Sequence, residues 1–312
     1  MTFTSPDDVR HRLDTVDYLV DDGMAMALFL ALRIGRPLLL EGEPGVGKTA
    51  AAKALAAALQ TTLIRLQCYE GLTAGEALYE WNYQRQLLAI RLAEAHHERL
   101  SQSAAENKMP PRILSDADLF TAEFLQERPI LQAIRHAGPV PPVLLIDEID
   151  RADDEFEALL FEFLGEAAVT IPELGTVTAV RPPIVVLTSN RSRELHDALR
   201  RRCLYHWIDF PSAERAAEIV RRAVPGAGEP LIRTATEFIG GVRGLDLDKA
   251  PGLAETIDWV AALSALGATD LVSEHIVRTI GTIAKTPDDR DVVAAALATH
   301  RASPAPAQET QP

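Results

Sequence analysis

Cysteine is nearly absent. Only Cys68 and Cys203 occur in 312 residues; they stand far apart and in no CxxC, so neither a disulfide framework nor a thiolate metal site can be built from them. Aromatic residues are 5% of the chain, which makes any cluster of them conspicuous. Long hydrophobic runs are missing too: the most apolar stretch, residues 24–32, is stopped by Arg33 and is too short to span a bilayer. Basic charge is in deficit, with 31 Lys and Arg against 45 Asp and Glu and a net charge of -14. A phosphate backbone is repelled by that balance, which argues against a nucleic-acid partner. The first eight residues have neither the basic start nor the apolar core of a signal peptide. The expectation is an acidic cytoplasmic protein without a transmembrane segment. Lysine is rarer still, five against 26 arginines, so a lysine in a meaningful setting is easy to notice.

What is present is an ordinary globular balance, 47% hydrophobic and 24% charged, at a length that allows one large domain or two smaller ones. Short apolar runs bounded by turn residues recur at 37–40, 62–66, 143–146, 184–187 and 206–210. Interleaved with helical stretches, they predict a doubly wound, five-stranded parallel sheet. A helix is expected over 21–32 and another, rich in Ala and Leu, from Thr49 to Leu59. Beyond Pro211-Ser212 no strand is expected. Helical stretches at 213–223, 231–239, 253–266 and 273–284, parted by Pro225-Gly226, Gly240-Gly241 and Gly267, predict a small all-helical lid domain. The domain expectation is therefore a nucleotide-binding core over 1–210, a lid over 211–287, and a C-terminal helix and partly disordered tail over 288–312.

Gly42-Glu43-Pro44-Gly45-Val46-Gly47-Lys48-Thr49 fits G-x-x-x-x-G-K-[ST] between a strand and a helix. Its glycines let backbone N–H groups turn inward, the helix N-terminus adds positive potential, and Lys48 can reach the β- and γ-phosphates of ATP. Thr49 offers a hydroxyl to Mg²⁺. Val143-Leu144-Leu145-Ile146-Asp147-Glu148 is an apolar strand ending in acid. Asp147 would share the Mg²⁺ with Thr49, and Glu148 is suited to polarise an attacking water. Asn190 ends a third strand, where an Asn is either a turn former or a group that touches the γ-phosphate or the water. Arg200-Arg201-Arg202, after a short helix expected over 193–199, is either a solvated face or a source of an arginine finger. The eight histidines, His96-His97 included, have no ligand spacing, so no metal other than Mg²⁺ is expected. Tyr69, Tyr79, Trp81 and Tyr83 concentrate aromatics in a chain poor in them, readable as core packing or as a contact surface.

The order of these elements resembles an AAA+ ATPase, a P-loop NTPase with a helical lid. More narrowly, Leu39-Leu40-Glu41-Gly42-Glu43-Pro44-Gly45-Val46-Gly47-Lys48-Thr49, Ile146-Asp147-Glu148-Ile149-Asp150-Arg151-Ala152, Thr170-Ile171-Pro172-Glu173-Leu174-Gly175 and Thr188-Ser189-Asn190-Arg191-Ser192-Arg193-Glu194-Leu195 are similar to the MoxR branch. The stretch Asp197-Ala198-Leu199-Arg200-Arg201-Arg202-Cys203-Leu204-Tyr205-His206-Trp207 looks like the CoxD type, which helps mature the molybdenum–copper carbon monoxide dehydrogenase. The resemblance spans residues 17–266. It implies a Walker A pair at Lys48 and Thr49, a Walker B pair at Asp147 and Glu148, sensor 1 at Asn190, and a finger at Arg202 or, next, Arg201. It also implies a homo-oligomer in the form of a hexameric ring, a von Willebrand factor A-domain partner and a client metalloenzyme. Other MoxR clients, among them nitric oxide reductase, rubisco and methanol dehydrogenase, are the runners-up. A P-loop kinase and a DNA-translocating AAA+ protein are the competing classes, the latter disfavoured by the charge. Two departures stand out: Asp150 sits where many MoxR proteins have Asn, and no sensor 2 arginine is found around Lys249-Ala250-Pro251-Gly252-Leu253-Ala254-Glu255.

Overall fold

The computed structural model describes residues 3–103, 115–271 and 275–302. Among the described residues nine strands run β1 (Leu38–Gly42), β2 (Leu63–Gln67), β3 (Tyr79–Trp81), β4 (Leu125–Glu127), β5 (Val143–Asp147), β6 (Ala168–Ile171), β7 (Gly175–Thr178), β8 (Ile184–Ser189) and β9 (Leu204–Ile208). Five of them form a parallel sheet in the order β2-β5-β8-β1-β9. Both β1 and β5 are buried along their whole length, because helices cover both faces of the sheet, and that is why each reads as an unbroken apolar run. Successive side chains leave on opposite faces. Leu39, Leu144, Ile146 and Leu187 join one core with Phe156 and Trp81. Leu38, Leu40, Val143 and Leu145 join another with the helices Asp22–Ile34 and Lys48–Leu59.

β1 sits between β8 and β9, with Leu39 level with Leu187 and Tyr205. The chain switches direction around it, so the loops after β1, β5 and β8 open at one edge of the sheet, the edge where ligands bind in doubly wound folds. The pair β3–β4 and the hairpin β6–β7 are antiparallel additions; the hairpin holds the Thr170-Ile171-Pro172-Glu173-Leu174-Gly175 stretch.

Past Pro211 the described chain is helical: Ala213–Ala223, Glu229–Val242, Leu253–Ala265, His275–Thr279 and Pro287–Ala302. These helices share a separate core around Trp259, Phe238 and Val293. Among the described residues no helix is long and apolar enough to cross a membrane.

Some boundaries differ from the sequence reading. The last sheet strand is Leu204–Ile208 and not 206–210, because Leu38 and Gly42 of β1 pair with Leu204 and Ile208, and the register ends there. The helix expected over 193–199 shrinks to Asp197–Arg200. Arg193 is tied to the Ala152 carbonyl and to Glu157, and the His196 N–H donates to the same carboxylate at 2.9 Å, so residues 193–196 are held out of the helix. The helix expected over 273–284 is described only from His275, and it tightens into a 3₁₀ turn, Ile280–Thr282. Residues 303–312, expected to be disordered, and the side chains of His96 and His97 lie outside the described residues. The helices Pro6–Asp14, Pro129–Ile134 and Asp154–Glu166 were not foreseen.

Candidate nucleotide site

The loop from Gly42 to Gly47 needs its glycines for space as well as for conformation. A Cβ on Gly42 would lie 2.4 Å from the Ile208 carbonyl oxygen of the neighbouring strand, and one on Gly45 would lie 3.0 Å from Cα of Gly252. Gly45 also has a φ of +79°, in the left-handed region. Gly47 caps the helix Lys48–Leu59 without a side-chain bond, leaving the first-turn N–H groups free to face an anion. Lys48 is buried, and its Nζ donates to the carbonyls of Gly42 at 2.6 Å and Glu43 at 2.8 Å. Burial lowers its pKa, opposed by the carboxylates of Asp150, Glu43, Asp147 and Glu148.

Asp147, at the end of β5, is buried and fully engaged. Its Oδ1 accepts from Thr49 Oγ1 at 3.0 Å and from Thr188 Oγ1 at 2.6 Å; its Oδ2 accepts from Arg65 Nε at 3.0 Å and Nη2 at 2.6 Å. The next residue, Glu148, takes a left-handed conformation with φ 57°. Its N–H donates to Thr188 Oγ1 at 2.9 Å, while its carboxylate accepts from Gln67 Nε2 at 3.1 Å and pairs with Arg151 at 2.9 Å. Left-handed backbone at a non-glycine residue costs on the order of 1–3 kcal/mol. That cost is borne at a residue whose side chain lines the cleft.

Asn190 follows β8 and is half-buried. Lys48, Thr49, Asp147, Glu148, Thr188 and Asn190 all line one cleft of about 960 Å³. Its far wall comes from Tyr18, Val20, Met24, Ile219 and Ile257. Tyr18 is half-buried, its desolvation raises its pKa, and its hydroxyl donates to the Gly47 carbonyl at 3.3 Å.

Arg201 and Arg202 are not among the residues lining the cleft. Both are exposed. Arg201 pairs with Asp197 at 2.8 Å; Arg202 donates to the Ala198 carbonyl at 3.1 Å and stands 5.1 Å from the Phe161 ring centre. Arg36 holds this turn by donating to the backbone carbonyls of both residues. Lys249 is exposed. The segment around it meets the loop through Leu253 instead, whose N–H donates to the Gly45 carbonyl at 3.0 Å. The helical region brings Arg215 and Arg222 to the cleft, and Arg222 is already paired with Asp14 at 2.7 Å and Glu218 at 3.0 Å.

The sequence reading missed Arg65, Gln67, Thr188, Tyr18 and Arg215. Residues 65 and 67 share one phase of β2, so their alternation along that strand was the available signal.

A phosphate-cradling loop, an acidic strand end and a polar third strand end at one edge of a five-stranded parallel sheet define a P-loop NTPase of the AAA+ kind. The chain belongs to the AAA domain family of the dynein-related subfamily, whose model matches residues 37–203; it is thus an AAA+ ATPase motor of that kind. Among solved structures it is similar to the Thermotoga maritima RuvB Holliday junction branch migration motor, at 17% identity and a TM-score of 0.45 over 88% of this chain and 70% of that one. A point variant of the same RuvB matches at 18% identity and a TM-score of 0.48, over 98% and 83% of the two chains.

Proposed function

We propose that this chain is a Mg²⁺-dependent ATPase of the MoxR type, most similar to the CoxD type, that remodels or matures a client metalloenzyme. The client class we favour is a molybdenum hydroxylase such as carbon monoxide dehydrogenase. One observation carries the hydrolytic reading: Lys48, Thr49, Asp147, Glu148 and Asn190, drawn from three separate strand ends, line a single cleft. The loop of Gly42, Glu43, Pro44, Gly45, Val46 and Gly47 would wrap the phosphates with Lys48 countering their charge. Thr49 and Asp147 are hard oxygen donors 3.0 Å apart, the donor chemistry that suits Mg²⁺. The ion, when bound, neutralises charge on the phosphates. Glu148 takes the proton of the attacking water, and Asn190 orients that water or the γ-phosphate. The apolar wall of Val20, Met24, Ile219 and Ile257 suits the nucleobase.

In this reading residues 1–210 form the nucleotide-binding core, 211–287 the lid, and 288–312 a C-terminal helix and tail. The chain works in the cytoplasm as a hexameric ring with a von Willebrand factor A-domain partner. Arg202, or next Arg201, serves the site of a neighbouring subunit, which fits their distance from the cleft of their own chain.

Glu148→Gln tests the assignment. It keeps shape and removes the base, so ATP should still bind while turnover falls on the order of a hundredfold or more. Equilibrium binding of a fluorescent ATP analogue and phosphate release, measured on the same preparation, separate the two steps. Wild-type turnover in this variant would overturn the role of Glu148.

A further inference from the structure

Asp150 is a buried carboxylate that the mechanism above does not use. It lies two residues past Glu148 in the 3₁₀ turn Ile149–Arg151 and is 2% exposed. Burying a charge is expensive unless hydrogen bonds compensate it. The compensation comes from the loop after β8. Oδ2 of Asp150 accepts from the Ser192 N–H at 2.8 Å, Ser192 Oγ at 2.6 Å and the Asn190 N–H at 3.2 Å. Between the two N–H donors, Arg191 is left-handed with φ 59°, and its own N–H is held by Ser189 Oγ at 3.0 Å. Two N–H groups flanking a left-handed residue and closing on one anion make a backbone nest. Asp150 is the anion.

The consequence concerns Asn190. Its side chain hangs from a backbone that bends because of Arg191, and a left-handed arginine is costly without a partner to hold it. The Asp150 carboxylate is that partner, joining the exit of β5 to the exit of the neighbouring strand β8. Its second oxygen, Oδ1, is buried with no hydrogen-bond partner. Asp150 is not itself among the residues lining the cleft, whereas Asn190 and Glu148 are, so it acts from behind them.

We propose that Asp150 is a positioning residue for hydrolysis: through its nest of residues 190–192 it sets the place of Asn190 relative to Glu148. The proposal rests on the ATPase reading above. It also predicts that Asn can serve in place of Asp150, since the carbonyl oxygen of Asn can accept the same N–H donors.

The test uses the full-length protein with Asp150→Ala, Asp150→Asn, Ser192→Ala and, as a control, Asn190→Ala. Displacing a positioned group by about 1 Å can cost on the order of a hundredfold in rate. Asp150→Ala should therefore lose at least about tenfold in kcat, with KM for ATP within about threefold of wild type, as expected of an interaction absent from ground-state binding. Asp150→Asn should recover most of that loss, and Ser192→Ala should lie between them. Hydrogen exchange gives a readout that does not depend on turnover: the amides of Asn190 and Ser192 should lose protection in Asp150→Ala and keep it in Asp150→Asn. Wild-type kcat in Asp150→Ala, beside a deficient Asn190→Ala, overturns the positioning role and leaves the ATPase reading standing. Full turnover in Asn190→Ala overturns the role of Asn190 itself. If Asp150→Ala does not fold, Asp150→Asn still decides: unprotected amides at residues 190 and 192 in that variant overturn the nest, and protected amides uphold it.

Discussion

Arg65 is the residue whose charge is most directly set against the acidic pair. Its guanidinium gives two N–H groups to Oδ2 of Asp147 and also bonds Gln67, whose amide reaches Glu148. Asp147 does not depend on Arg65 for its orientation, because Thr49 and Thr188 hold the other oxygen. What Arg65 adds is a positive charge beside the oxygens proposed to hold Mg²⁺, and that charge opposes a second cation. Arg65→Gln should therefore tighten Mg²⁺ binding in the presence of ADP. Arg65 is 47% exposed, so solvent screens it, and the gain is a few-fold, about 1 kcal/mol at most. Calorimetric ADP titrations with and without Mg²⁺ give that difference directly. Unchanged or weaker Mg²⁺ binding in the variant would show that Arg65 supports Asp147 and does not compete at the site.

Elements differ in how far they announce themselves. β1 and β5 are legible because burial on both faces demands an unbroken apolar run, and the glycines between β1 and its helix are required by spaces as small as the 2.4 Å at Gly42. With those two strand ends located, Lys48, Thr49, Asp147 and Glu148 follow. β2 is an edge strand, and its Arg65 is exposed in the middle of the run; such a residue looks solvated until the fold brings β5 alongside. The helix Asp154–Glu166 carries Glu157 with 0% exposure, and its bond to Arg193 reshapes a loop 36 residues away in sequence, which no local pattern encodes. The contact between the helix Leu253–Ala265 and the phosphate loop was equally hidden. A Cβ on Gly252 would sit 2.8 Å from Gly45 Cα and 3.0 Å from the Pro44 carbonyl oxygen. Backbone cannot step aside as a flexible side chain can, so Gly252→Ala should push this helix off the loop. We expect a loss of about 1–3 kcal/mol, the usual cost of overpacking, together with weaker ADP binding. Urea unfolding and ADP titration report the two effects, and a variant equal to wild type in both would mean that the helix and loop touch without supporting one another.

At the scale of the whole molecule, the groups assigned to chemistry divide into two places. Five line the cleft, while Arg201 and Arg202 stand outside it, on a turn braced by Arg36. Arg36 fixes the backbone of this turn, and the exposed side chains of Arg201 and Arg202 rest on Asp197, the Ala198 carbonyl and the Phe161 ring, surface contacts that an incoming phosphate could replace. If that phosphate sits in the cleft of a neighbouring copy, hydrolysis requires assembly, and Arg202 acts in trans. An arginine finger contributes roughly 10³–10⁵ in rate by balancing transition-state charge, so Arg202→Ala should bind ATP normally and turn over almost none. Lys48→Ala removes the charge-assisted contacts to the phosphates, worth about 1.5–3 kcal/mol each, and should bind ATP poorly. Each variant alone is then inactive for a different reason. Mixed together, an Arg202→Ala subunit supplies a sound cleft and its Lys48→Ala neighbour supplies the arginine, so phosphate release should return in proportion to mixed interfaces. Activity per subunit should also rise with wild-type concentration until assembly is complete. Turnover by Arg202→Ala close to wild type would make the arginine turn a solvated surface. Two inactive variants whose mixture stays inactive would put the finger within its own subunit, and the separation of Arg202 from the cleft of its own chain makes that the outcome we expect least.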